Sequence, residues 1–213
     1  MQPSRVFHFA AAMALLAAVQ TAQASYSADF STGVGPEWSI VTSLNTADTG
    51  ILGQLQDGSA TLDLFAAGPT STSLSFDLLG FRTLDGAGNC CTDTFNLSLN
   101  NVVILSGAFD MSGGGTNTVF INSVSAIVNT VSSGYGQGGL TTVSIQSLSI
   151  VPGLNSLRFD YGMPLQGIGD ESWGLDNVNA AGQVSVVPEP AGSATLLAGL
   201  LATGLWMRRR ARG

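Results

Sequence analysis

Lysine is absent from this 213-residue chain, histidine occurs once, at His8, and cysteine twice, as the adjacent Cys90 and Cys91. Between Ser25 and Val187 there is neither lysine nor histidine. That span therefore builds no Ser-His-Asp triad, no Cys-His pair, no lysine Schiff base and no histidine zinc site. Carboxylate chemistry stays open, because glycoside hydrolysis needs only two carboxyl groups at a set separation. Thirteen acidic residues always contain some such pair, however, and Asp170-Glu171 is the only adjacent one. Basic residues are equally scarce: Arg82 and Arg158 stand against those thirteen acids, a net charge of −11, more acidic than the −7 of the whole chain. Such a body repels nucleic acid and anionic lipid but not divalent cations or neutral sugars.

Helical periodicity is missing too. Period-two alternation of apolar residues replaces it, bounded by Gly, Asn, Asp and Pro. It runs through "SATLDLF" (Leu62, Leu64), "TSLSFDLLGF" (Leu74, Phe76, Leu78) and "DTFNLSLNNVVIL" (Phe95, Leu97, Leu99), the last with a turn at Asn100-Asn101. "TTVSIQSLSIV", "NSLRFDYG" and "SWGLDNVNA" continue the pattern, the first and last each with one slip of phase. The β-branched residues of "FINSVSAIVNTVSS" favour strand as well. Several half-buried strands on about 160 residues predict an all-β fold, a two-sheet antiparallel sandwich of jelly-roll type, over residues 25–182. "SGGGTN" and "SSGYGQGG" read as loops, and residues 183–190, "QVSVVPEP", as a linker.

The two ends read differently. Arg5, the apolar run "VFHFAAAMALLAAV" and the small-x-small "AQA" at Ala22–Ala24 form a secretory signal peptide over residues 1–24. Residues 191–207 are apolar or small throughout. As a helix they span roughly 26 Å, close to a hydrocarbon core. Arg208, Arg209, Arg210 and Arg212 follow, which predicts a transmembrane helix with a basic tail, residues 208–213, in the cytoplasm.

Pro188-Glu189-Pro190, the apolar run and the terminal arginines together resemble the PEP-CTERM sorting signal of Gram-negative bacteria. The resemblance covers the last twenty-six residues. It implies an exosortase-type protease as partner, a transient inner-membrane intermediate, and delivery to the cell surface or the extracellular space. Two prolines cannot continue a helix, so the motif is expected to stay extended at the membrane face.

Within the body, "LDGAGNCCTDTF" gathers Asp85, Asn89 and Asp93 in one Gly-containing loop. Short oxygen side chains four residues apart suit a hard cation, although Asp and Asn are also ordinary turn formers. A second acidic group, "GDESWGLDN", places Asp170 and Glu171 just before a strand and Asp176 within it. Asp176 in an apolar strand either points outward or is held by an ion, Arg82 or Arg158.

"FSTGVGPEWS", "LSFDLLGFRTLDG" and "SWGLDNV" resemble a β-sandwich family common among PEP-CTERM proteins and similar to jelly-roll carbohydrate-binding and lectin-like domains. The resemblance implies a structural Ca2+ near the last strand, with Asp176 as a ligand. It also implies sugar-stacking aromatics, for which Trp38, Trp173, Tyr135 and Tyr161 are the candidates, Trp38 and Trp173 being equally candidates for the core. Cys90 and Cys91 travel to an oxidising compartment and are expected to form a vicinal disulfide, the alternatives being a cross-link between chains or a pair that is simply tolerated. The expected role is a non-enzymatic structural or binding component of an exopolysaccharide matrix or biofilm. The alternatives are a calcium-dependent carbohydrate-binding module and, last, a glycan hydrolase.

Overall fold

The computed structural model describes residues 25–41, 50–161 and 165–186. The signal peptide, the Pro188-Glu189-Pro190 motif, the apolar run and the arginine tail lie outside them. The described residues form thirteen strands: β1 (Tyr26–Ala28), β2 (Trp38–Val41), β3 (Leu52–Leu55), β4 (Ser59–Ala66), β5 (Thr70–Arg82), β6 (Thr94–Leu99), β7 (Val102–Ala108), β8 (Thr118–Asn122), β9 (Ile127–Ser132), β10 (Gly139–Ile150), β11 (Gly153–Tyr161), β12 (Glu171–Gly182) and β13 (Ser185–Val186).

They make the expected two-sheet antiparallel sandwich. Sheet A runs β1-β12-β5-β10-β9, with β3 also on β12; sheet B runs β13-β4-β11-β6-β7-β8, with β2 also on β4. The chain crosses repeatedly between sheets, so strands adjacent in sequence, such as β4 and β5, lie in opposite sheets. The alternation predicted which side chains turn inward. Leu62 and Leu64 of β4, Leu74, Phe76 and Leu78 of β5, and Leu157 and Phe159 of β11 all point inward and are buried.

Local chemistry fixes the register. Leu99 pairs with Val102, leaving Asn100 and Asn101 as a two-residue loop. Both adopt positive φ, 50° and 67°, which is the twist a tight hairpin needs and which asparagine tolerates. The slips in "TTVSIQSLSIV" and "SWGLDNVNA" are bulges, between Ile145 and Leu148 and between Asp176 and Asn179. The buried Asn155 is fully used: its amide donates to the carbonyls of Val151 and Gly153, and its oxygen accepts from Val151 N and from Asn100. It thereby ties the β10–β11 turn to the β6–β7 turn.

Two boundaries differ from the sequence reading. Ser185 and Val186, assigned to the linker, pair with Phe65 and Leu64, so the sandwich continues to Val186. "FINSVSAIVNTVSS" is two strands rather than one, the chain leaving sheet B at β8 and entering sheet A at β9. The Asn122 side chain closes the corner between them, donating to Ala126 O and accepting from Ala126 N.

A line of aromatic rings runs through the core. Trp38 packs on Phe159, Phe159 on Phe76, Phe76 on Phe95, Phe95 on Tyr161 and Tyr161 on Trp173, with centroids 5.1–6.0 Å apart. The line ends at Tyr161 and Trp173, beneath the loops that follow β5.

Candidate functional site

Antiparallel pairing of β12 with β5 sets Glu171 opposite Arg82. The start of β12 therefore lies beside the loop that leaves β5 at Thr83. Thr83 secures the join: its amide and hydroxyl donate to Asp170 O, and the hydroxyl also reaches Asp170 Oδ1 at 2.9 Å. The loop folds back on itself through Asp93 N to Asp85 O and through Asp85 N to Asp93 Oδ2 at 2.6 Å. A second loop supports it, with Leu84 bridged to Met111 and Ala87 to Thr116. Glycine is required at Gly113, because a Cβ there would overlap Asp85 Oδ1.

These contacts bring Asp85, Asp93 and Glu171 together, each offering a carboxylate oxygen within 4.8 Å of the others. They are only 6%, 5% and 2% exposed. Among the described residues the one ion pair is Arg158 with Asp160, on the outer face of sheet B, so no arginine neutralises the cluster. Burial raises all three carboxyl pKa values, and mutual repulsion adds to the rise. Asp93 is pushed up to about 7, first by burial and then by the charges of Glu171 and Asp85. Asp85 and Glu171 are raised chiefly by burial, although Asn89 and Gln166 oppose the shift by hydrogen bonding.

The sequence reading found part of this site. Asp85, Asn89 and Asp93 do converge, with Asn89 Nδ2 donating to Asp85 Oδ1 at 2.7 Å and to Gly113 O. Asp170 lines the same pocket from its exposed rim. Asp176 does not belong. It lies half-buried on the outer face of sheet A, opposite Asp77, and Asn177 bridges the two carboxylates. Neither an arginine nor the cluster holds it. Glu171 takes its place and was not among the expected ligands. Gln166 orients it, its backbone N to Oε2 at 2.6 Å and its side chain to Oε1 at 2.9 Å.

An independent feature points to the same place. Tyr161 Oη is buried without a hydrogen-bond partner, and the charge that acts on it is that of Asp93. A buried hydroxyl normally finds a partner. Three buried carboxylates without a countercharge, beside an unsatisfied oxygen, suit a hard divalent cation bound by oxygen. The donor set argues against a soft metal. Cys90 and Cys91 do stand near Asp85, but their sulfurs are unbonded and 2.6 Å apart. The hydrogen bond shared with Cys90 raises the Cys91 thiol to about 11. The two cysteines stand side by side at the pocket's edge.

The cluster opens into a shallow pocket of about 350 Å³ lined by Thr83, Asp85, Asn89, Tyr135, Asp170 and Glu171, among others. Of the four aromatic candidates, Trp38, Trp173 and Tyr161 are buried in the core. Tyr135 is 84% exposed and stands on the pocket wall. Its loop is anchored through Gly136 N to Ser112 O and Gly138 N to Arg82 O.

No family model matches the chain, and no curated protein matches it. Among solved structures, the CBM35 from Cellvibrio japonicus Abf62 aligns at 12% identity and a TM-score of 0.42, over 76% of this chain and 97% of that one. A family 35 carbohydrate binding module from an environmental isolate aligns at 14% and 0.43, over 78% and 99%. One from Clostridium thermocellum aligns at 11% and 0.37, over 74% and 97%. At these identities and TM-scores the similarity assigns no ligand, and the architecture rests on the strand pairings above.

Proposed function

We propose that this domain is an exported, non-catalytic binding module that holds carbohydrate in a calcium-dependent manner. The observation that carries the reading is the exposed ring of Tyr135 on the wall of a pocket whose floor is made of buried carboxylates. A flat, solvated aromatic stacks on a sugar face. A cation held by Asp85, Asp93 and Glu171 would neutralise the floor and stiffen the loop, and its remaining coordination positions would accept hydroxyl oxygens. Asn89, Asp170 and Gln166 supply polar groups that orient a ligand. An extracellular polysaccharide of a surface matrix is the partner class this chemistry fits.

A glycan array with and without EDTA tests the reading. Binding should be lost in EDTA and return with calcium, and Tyr135→Ala should weaken it by about tenfold or more, the loss of one stacking contact. Binding indifferent to both would sink the proposal. Release of reducing ends from any polysaccharide would overturn the non-catalytic assignment.

Export follows from the terminal segments, which lie outside the described residues. Under this reading the double variant Pro188→Ala with Glu189→Ala accumulates in the inner membrane. Normal surface delivery of that variant would remove the sorting role of the motif.

A further inference from the structure

We propose that the β8–β9 edge is a homotypic interface, on which a second copy of this chain packs its own β8–β9 edge. β8 is the last strand of sheet B and β9 the last of sheet A. A short corner at Ser123–Ala126 joins them, so both open edges lie on one side of the sandwich. That side is apolar where it meets solvent. Val119, Phe120, Ile121, Ile127 and Val131 are all exposed, Phe120 by 51% and Val131 by 66%. Phe120 falls at the register shift between β7 and β8, without a ladder partner of its own. Edge strands are ordinarily guarded by charge or proline. Here there is neither: no charged residue occurs between Asp110 and Arg158, and no proline occurs in β8 or β9.

The charge distribution selects the occupant. A body of net charge −11 repels a second copy across most of its surface. It approaches itself without that penalty only along the charge-free stretch that supplies β8, β9 and β10. An anionic lipid surface is repelled by the rest of the domain, and a cationic partner would be drawn to the acidic faces instead. The five side chains present on the order of 500 Å² of apolar surface per copy, which with a polar rim reaches the size of a standard dimer interface. An isologous pairing covers both of these edges at once and closes on itself as a dimer. It involves none of the pocket residues, so the interface stands or falls separately from the carbohydrate reading.

Sedimentation equilibrium of the full chain in density-matched non-ionic detergent tests this. The wild type should be dimeric at roughly 50 µM, and Phe120→Asp should weaken the dimer by at least about tenfold, as for loss of an aromatic anchor. Val131→Asp, on the other strand of the edge, should do the same. Phe65→Asp, exposed on the outer face of β4 at the far side of sheet B, should leave the association unchanged. Circular dichroism checks that each variant keeps its β-sheet, and Val131→Asp decides the matter if Phe120→Asp does not fold. A monomeric wild type at that concentration overturns the proposal, as does association weakened equally by Phe65→Asp or unaffected by the two edge variants.

Discussion

Replacing Trp173 by alanine is expected to cost about 3–5 kcal/mol of stability and to lower the melting temperature by roughly 10 °C or more. Trp173 is wholly buried, packs against Tyr161 at 5.7 Å, and donates its indole N–H to Gln56 O at 3.2 Å. The substitution removes an aromatic ring from the end of the core line, leaves a cavity under the acidic loop and orphans a carbonyl. Thermal denaturation followed by circular dichroism measures the loss. Tyr135→Ala is the control, since a ring on the surface supports no packing and its removal should leave the melting curve in place. A Trp173→Ala protein as stable as the wild type would show that the sandwich does not close as described.

The second large effect is on calcium stabilisation, and its sign differs between the metal-free and metal-bound states. A cation bound only by the folded state stabilises by about 2.7 kcal/mol at a hundredfold excess over Kd. Calcium should therefore raise the melting temperature by several degrees, and Glu171→Gln should abolish most of that gain. In EDTA the same variant should be at least as stable as the wild type, because it removes one of three mutually repelling buried carboxylates. Asp176→Asn, outside the cluster, should leave the calcium response intact. The pH dependence without metal follows from the raised carboxyl pKa values. A folded state whose Asp93 titrates near 7 rather than near 3.8 takes up protons that the unfolded chain releases. The stability so gained is full below the unfolded value and is lost as pH rises through the folded one. The metal-free melting temperature should accordingly fall between pH 5 and pH 8, and saturating calcium should flatten the curve. A melting curve indifferent to calcium, EDTA and Glu171→Gln would leave the cluster as buried acids without a ligand.

Much of the fold was legible because one face of each long strand is buried and the other is not. β4, β5, β11 and β12 announced themselves by alternation, and the two slips were real bulges. β1, β2 and β3 were not seen, because three or four residues are too few to show a period. β13 was hidden by its nearness to Pro188. The site was half legible for a related reason. Asp85, Asn89 and Asp93 share one loop, so their spacing carried the signal. Glu171 joins them only through the β5–β12 register, a long-range pairing that no local spacing encodes. Asp176 was favoured by resemblance, but the strand turns it outward, where Asn177 and Asp77 receive it. The missing countercharge follows from composition, since a body with two arginines has few cations to place.

Sheet B is asymmetric in a way that bears on how molecules meet. The chain leaves the domain at β13, on one margin, and the charge-free edge lies at β8, on the other. Five strand spacings separate them, about 24 Å. A molecule fastened by its C-terminal side thus keeps its adhesive margin away from the point of attachment. Neighbours rooted in the same layer would have to lie down to join. Molecules rooted in two facing layers meet margin to margin without bending, their attachment points roughly 50 Å apart. For molecules held by the C-terminal side and paired as proposed, a bridge between surfaces fits this geometry better than a carpet on one.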